Sequence, residues 1–195
     1  MNSNPASPLM TRSRFLLFAG LVQGGVLLLA VLVGYELGLS PASLVRWDSR
    51  DCLWGLLAVL PMLGVYQSSP GLRQLALESL GDSLSRCRWY DLVALAALAG
   101  IGEELLFRGV LYEGLFPLNP LLALIASNVA FGLLHALSWK YLLTTTAIGF
   151  GMHALAEVSG TRNLLAPIVA HGVYDLVAFV LLVRQYRSIN GESPR

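Results

Sequence analysis

The residues that could do chemistry fall into three short groups. The first is Gly102-Glu103-Glu104-Leu105-Leu106-Phe107-Arg108. The second holds Asn128, Phe131 and His135. The third is His171-Gly172-Val173-Tyr174-Asp175. Glu104 and Arg108 stand four apart, the spacing that puts two side chains on one face of a helix as an ion pair. Glu103 points about 100° away from Glu104, so its charge is not matched by Arg108. This geometry assigns Glu104 and Arg108 as a structural brace and leaves Glu103 free to react. His171 and Asp175 are again four apart and reach one object together, and His135 follows Phe131 by one turn.

A carboxylate, two imidazoles and a further acid suit hydrolysis. Glu103 can take a proton from water, His135 can help hold that water, and His171 with Asp175 can bind the developing oxyanion. Phe131 and Asn128 would line such a site. The same four groups, Glu103, His135, His171 and Asp175, are also donors that suit Zn²⁺ with an open water position. The zincin pattern HExxH is absent, so spacing alone leaves the metal open.

The elements that must position these groups are membrane helices. Charged residues make up 13% of the chain and hydrophobic ones 55%, with a mean hydropathy of +0.65. So few charges cannot cover a water-soluble globule, for which about 25% is usual. Six stretches approach the ~20 apolar residues a crossing needs: Phe15–Tyr35, Cys52–Tyr66, Tyr90–Phe116, Asn119–Leu137, Tyr141–Ala156 and Leu164–Val183. Between the second and third, Gly71–Arg88 mixes leucines with Arg73, Glu78, Asp82 and Arg86 and reads as an interfacial amphipathic helix. The expected fold is an all-α polytopic bundle. It divides into N-terminal helices and interfacial segment (1–89), a polar-cored helical region (90–183) and a tail (184–195). Phe15–Tyr35 is long for a signal-peptide core and lacks a small-x-small cleavage site, so it reads as a retained span.

Charge sets orientation. Six spans place Arg12, Arg14, Arg73, Arg86, Arg88, Lys140, Arg184, Arg187 and Arg195 on one side and Arg46, Arg50 and Arg162 on the other. The basic side is cytoplasmic, which predicts a plasma-membrane protein with both termini inside. The net charge of +1 gives no reason to expect a nucleic-acid partner, whose backbone is bound by a basic patch. Cys52 and Cys87 are too few for a disulfide framework and read as free thiols. His153 stands alone and reads as a core residue. Glu113 and Glu157, near segment ends, read as solvated or paired. Gly100, Gly102 and Gly109 allow close helix packing.

The three groups resemble the signatures of the CAAX-protease and bacteriocin-processing family, also called type II CAAX endopeptidases or Abi proteins: paired glutamates then arginine (Glu103-Glu104 to Arg108), Phe-x-x-x-His (Phe131 to His135) and His-x-x-x-Asn/Asp (His171 to Asp175). The stretch Ser159 to Ile168 resembles the family's approach to the third. The resemblance covers roughly Tyr90 to Val183. It implies a membrane protease acting on a peptide or protein substrate near its terminus, with Glu103 and His135 activating water and His171 and Asp175 stabilising the oxyanion. Asp175 stands where many members carry Asn.

Two other readings use the same residues. One is a non-enzymatic immunity or scaffold protein whose polar cluster fixes helix packing. The other is an ion or proton pathway, although transport folds often show inverted repeats and none is visible here. A serine protease is disfavoured, because Ser127, Ser138 and Ser159 have no base placed beside them.

Overall fold

The computed structural model describes residues 10–191. The start of the polar leader and Arg195 of the basic count lie outside the described residues. Within them every regular element is helical: α1 (Arg12–Glu36), α2 (Ser49–Ser68), α3 (Pro70–Ser85), α4 (Trp89–Glu104), α5 (Tyr112–Leu115), α6 (Pro120–Leu134), α7 (Trp139–Ala156) and α8 (Leu165–Ile189). A 3₁₀ turn at Pro41–Leu44 follows α1, and a π-helical turn at Leu105–Leu111 joins α4 to α5. The six expected segments coincide with α1, α2, the α4–α5 run, α6, α7 and α8, and the amphipathic one with α3. This is an all-helical membrane bundle.

Local chemistry sets the helix starts. Asp48, Asn119 and Ser138 each accept the backbone N–H of a first-turn residue, at 2.8 Å from Arg50, 3.0 Å from Leu122 and 3.1 Å from Tyr141. These bonds satisfy donors that the helix itself cannot. Pro70 and Pro120 occupy first-turn positions, where the missing N–H costs nothing.

Helix lengths differ in a way that matters. α1 and α8 are each long and apolar enough to cross a membrane, and α2 with α3 pass that test as a pair bent by 91°. The six-crossing count is therefore not fixed by helix length alone. α6 has 15 residues, or ~22 Å at ~1.5 Å per residue, against a hydrocarbon core of ~30 Å.

α8 is the central helix and packs on α2, α3, α4 and α7. Glycine makes this possible. A methyl group at Gly100 would lie 2.8 Å from the Gly172 backbone nitrogen, and one at Gly109 would lie 2.8 Å from Pro41. Small residues at such crossings let backbones approach where apolar burial gives no drive. α1 runs parallel to α4, tied near both starts by Arg12, whose Nε and Nη2 donate to the Asp91 carboxylate at 2.7 Å each. Its other face exposes Leu17, Phe18, Leu21 and Leu28, as a lipid-facing surface would.

Candidate active site

Glu103 comes at the end of α4, faces α1, α6 and α8, and is 5% exposed. Its Oε1 accepts from Gln23 Nε2 of α1 at 2.9 Å. Its buried Oε2 has no hydrogen-bond partner among the described residues. That oxygen lies 3.5 Å from His135 Nε2 and 3.9 Å from His171 Nε2.

His135 caps the C-terminus of the short α6. Its Nδ1 lies 2.8 Å from the Phe131 carbonyl, which can only accept, so Nδ1 carries the proton. In the neutral ring Nε2 then presents a lone pair toward Glu103. His171, on α8, has Nδ1 at 2.9 Å from Glu104 Oε1 and Nε2 at 3.6 Å from Asp175 Oδ2. A carboxylate on Nδ1 fixes that ring as a donor there too.

Glu104 and Arg108 are fully buried and pair at 3.1 Å. Arg108 Nη2 donates onward to Asn128 Oδ1 at 3.2 Å on α6 and to the Gly149 carbonyl at 3.0 Å on α7. Asn128 in turn donates to Leu124 O at 2.8 Å. The guanidinium lies 4.4 Å from the Phe131 ring centre, and Phe131 also touches both His135 and His171 edgewise or tilted. One arginine thus ties three helices together, and Glu104 passes that rigidity to His171.

A π-helical turn begins immediately after the glutamate pair, where the Tyr112 N–H reaches Phe107 O five residues back. Such wide turns recur at functional sites. The spacing argument anticipated the Glu104–Arg108 contact but assumed a regular α-helix, so the widened turn is a finding of the structure. Arg162, from the α7–α8 loop, supports the turn from outside. It donates to Arg108 O at 2.9 Å, pairs with Glu113 at 2.6 Å and with Glu157, and stacks 4.2 Å from the Tyr112 ring centre.

A cavity of about 130 Å³ opens beside the histidines. His135, His171 and Asp175 line it together with Met62, Tyr66, Arg73 and Leu80 of α2 and α3. Glu103 stands behind the two imidazoles. The structure therefore brings Glu103, His135, His171 and Asp175 together, with Glu104, Arg108, Asn128 and Phe131 around them. His153 is elsewhere, half-buried against Tyr112 at 4.4 Å between ring centres. Ser159 donates to Asp51, Ser138 caps α7, and Ser127 donates to Leu124 O, so each hydroxyl serves the fold.

The residues as placed include no group of three His, Cys, Asp or Glu side chains arranged to hold a metal ion, among the described residues.

Two contributions come from the N-terminal half, where residue spacing marks no site. Gln23 holds Glu103, and the α2–α3 hairpin walls the cavity. Gln23 had a signal: it is the one amide in the uncharged stretch Phe15–Tyr35, and a polar group in lipid needs a partner. The hairpin had a weaker one, Ser69-Pro70 between two apolar runs.

Comparison with curated proteins and with solved structures yields no match. Comparison with protein families does. The model of the type II CAAX prenyl endopeptidase Rce1-like family matches residues 85–177, which hold every side chain of the buried cluster except Gln23. Residues 85–177, which carry the polar groups that α4, α6 and α8 bring together in that order along the chain, are similar to the type II CAAX prenyl endopeptidase Rce1-like family.

Proposed function

We propose that this protein is an intramembrane endopeptidase that cuts a peptide bond near the end of a membrane-associated substrate, with Glu103 as the base. The observation that carries this is the approach of Glu103 Oε2 to His135 Nε2, 3.5 Å, with His171 Nε2 3.9 Å away. Two acceptors at that separation suit a water that donates one proton to each, leaving its oxygen lone pairs turned to the cavity. As a carbonyl carbon is attacked, Glu103 takes the water proton and later passes it to the leaving amine. His171, protonated on both ring nitrogens with Nδ1–H held by Glu104, donates Nε2–H to the developing oxyanion. Asp175, whose Oδ2 lies 3.6 Å from the same Nε2, stabilises the charged ring by its proximity rather than by a hydrogen bond. Gln23 anchors Oε1 so that Oε2 is the reactive oxygen.

The membrane setting has a stated topology: six crossings, both termini in the cytoplasm of a cell whose plasma membrane holds the protein, and α3 lying across the cytoplasmic end of the bundle. The 91° bend before α3 and the nine basic residues on that side support it.

The test uses purified protein in detergent with a prenylated CAAX-type peptide, its unprenylated twin and a bacteriocin-type leader peptide, cleavage being read by mass spectrometry. Wild type is expected to cut at least one, and Glu103→Gln to lose ~10²–10⁴ in rate with unchanged melting temperature. A zinc chelator followed by zinc readdition decides the metal question: loss and recovery of activity would establish a metal enzyme. Wild-type rates in Glu103→Gln would end the proposal.

A further inference from the structure

Far from the buried cluster, where α1 and α4 begin and α8 ends, the structure has a second concavity. It is an open cleft of about 1470 Å³ lined by Arg12, Arg86, Arg88, Arg184 and Arg187, with Asp82 the one acid among the described residues that line it. The five guanidinium groups come from four places in the chain: the start of α1, the end of α3, the α3–α4 turn and the last turns of α8. Folding gathers them.

The charges are not all accounted for. Arg12 is held by Asp91 and Arg86 by Asp82. Arg88 donates to the neutral Tyr90 hydroxyl and Arg187 to the Ser85 carbonyl. Arg184 is exposed and makes no hydrogen bond or ion pair among the described residues. Among the described residues the guanidinium groups of Arg88, Arg184 and Arg187 thus line one cleft with no carboxylate in salt-bridge contact. A guanidinium presents a fork of donors that matches phosphate oxygens two at a time.

Its surroundings say which phosphate. The cleft lies at helix ends, and its rim carries Trp89, 76% exposed, and Tyr90, 41% exposed. Aromatic rings of this kind settle at the level of lipid headgroups. Its floor includes apolar Leu92, Val180 and Val183, a surface on which acyl chains can lie. A soluble phosphate would use neither the aromatic rim nor the apolar floor.

We infer that this cleft is a binding site for the phosphate headgroup of an anionic phospholipid, with Arg88, Arg184 and Arg187 as its ligands. The inference does not depend on the protease reading, because none of these residues touches the buried cluster.

The experiment measures binding by native mass spectrometry of the full-length protein in detergent, titrated with phosphatidylglycerol, phosphatidylcholine or inorganic phosphate. Retention of phosphatidylglycerol well above phosphatidylcholine is expected, with no competition by millimolar inorganic phosphate. Each arginine removed should weaken binding roughly fivefold, and Arg184→Gln with Arg187→Gln together roughly thirtyfold. Arg46→Gln with Arg50→Gln, at the opposite end, should change nothing. A thermal melt guards against misfolding: phosphatidylglycerol should raise the wild-type Tm and leave that of the double variant unmoved. Equal retention of the two lipids, or full retention by the Arg184/Arg187 double variant, overturns the inference. Displacement by inorganic phosphate would assign the cleft to a soluble anion and overturn it as a lipid site.

Discussion

Two arginines hold the middle of this protein, and they are matched differently. Arg108 is fully buried and has one carboxylate, Glu104, with neutral acceptors Asn128 and Gly149 taking further bonds and its Nε left without a partner among the described residues. Arg162 sits at the loop end with its side chain 14% exposed and has two carboxylates, Glu113 and Glu157, the second of them 46% exposed. The two networks meet at one atom, the Arg108 carbonyl, which accepts from Arg162. Inside the bundle a fully buried guanidinium depends on its one carboxylate, because losing that partner leaves a charge with no water to take its place. At the rim water takes a share, so an extra acid is tolerated. Removing one partner should therefore be severe at Arg108 and mild at Arg162.

The largest effect is expected from Glu104→Gln. It leaves a guanidinium uncompensated in a low-dielectric interior, where breaking a pair costs about 3–5 kcal/mol. Folded yield from detergent and the melting temperature measure it. A stable Glu104→Gln variant would show that the neutral acceptors suffice and that the contrast between the two arginines is wrong. Gly149→Ala comes next. Its methyl group would lie 3.1 Å from Arg108 Nη2 and 3.0 Å from Asn128 Oδ1, an overpacking expected to cost ~1–3 kcal/mol, again read as a Tm shift. Gln23→Leu removes one hydrogen bond from Glu103, a loss of about 1 kcal/mol. Its sharper readout is catalytic: a lower kcat for the cleaved peptide at nearly unchanged Tm. The smallest effect is expected from Glu157→Gln, at ~0–1 kcal/mol for an exposed pair, since Glu113 remains. If Glu157→Gln melted as early as Glu104→Gln, burial would not be what separates the two networks.

The parts of this site legible in the sequence were those encoded locally. The i and i+4 spacing that joins Glu104 to Arg108 and sets His171 near Asp175 is a property of one helix, and so is the run of apolar residues that marks each segment. What the sequence did not disclose depends on two distant stretches meeting. Gln23 acquires meaning only when α1 lies along α4. The cavity wall exists only because α3 turns away from α2 by 91° and folds back over the histidines. The π turn lies between these cases: it is local, but Leu105-Leu106-Phe107 carries no proline or polar mark that would announce it. It is sustained by partners from elsewhere, including Arg162 from the α7–α8 loop and the reach of Arg108 to α6 and α7.

The contact between Gln23 and Glu103 spans 80 residues, and this has a consequence in time. A ribosome adding ~5–20 residues per second needs roughly 4–16 s to make that length. Throughout that interval α1 is already synthesised, and its amide has no carboxylate to meet. Arg12 waits almost as long for Asp91, 79 residues on. The first helix therefore enters the bilayer as a provisional span, held there by its leucines alone. Its rotation and depth become definite only when α4 arrives alongside it. A helix that spends its first seconds unpaired needs a long apolar surface, and α1, with 25 residues and a mean hydropathy of 2.5 over its most apolar stretch, has one.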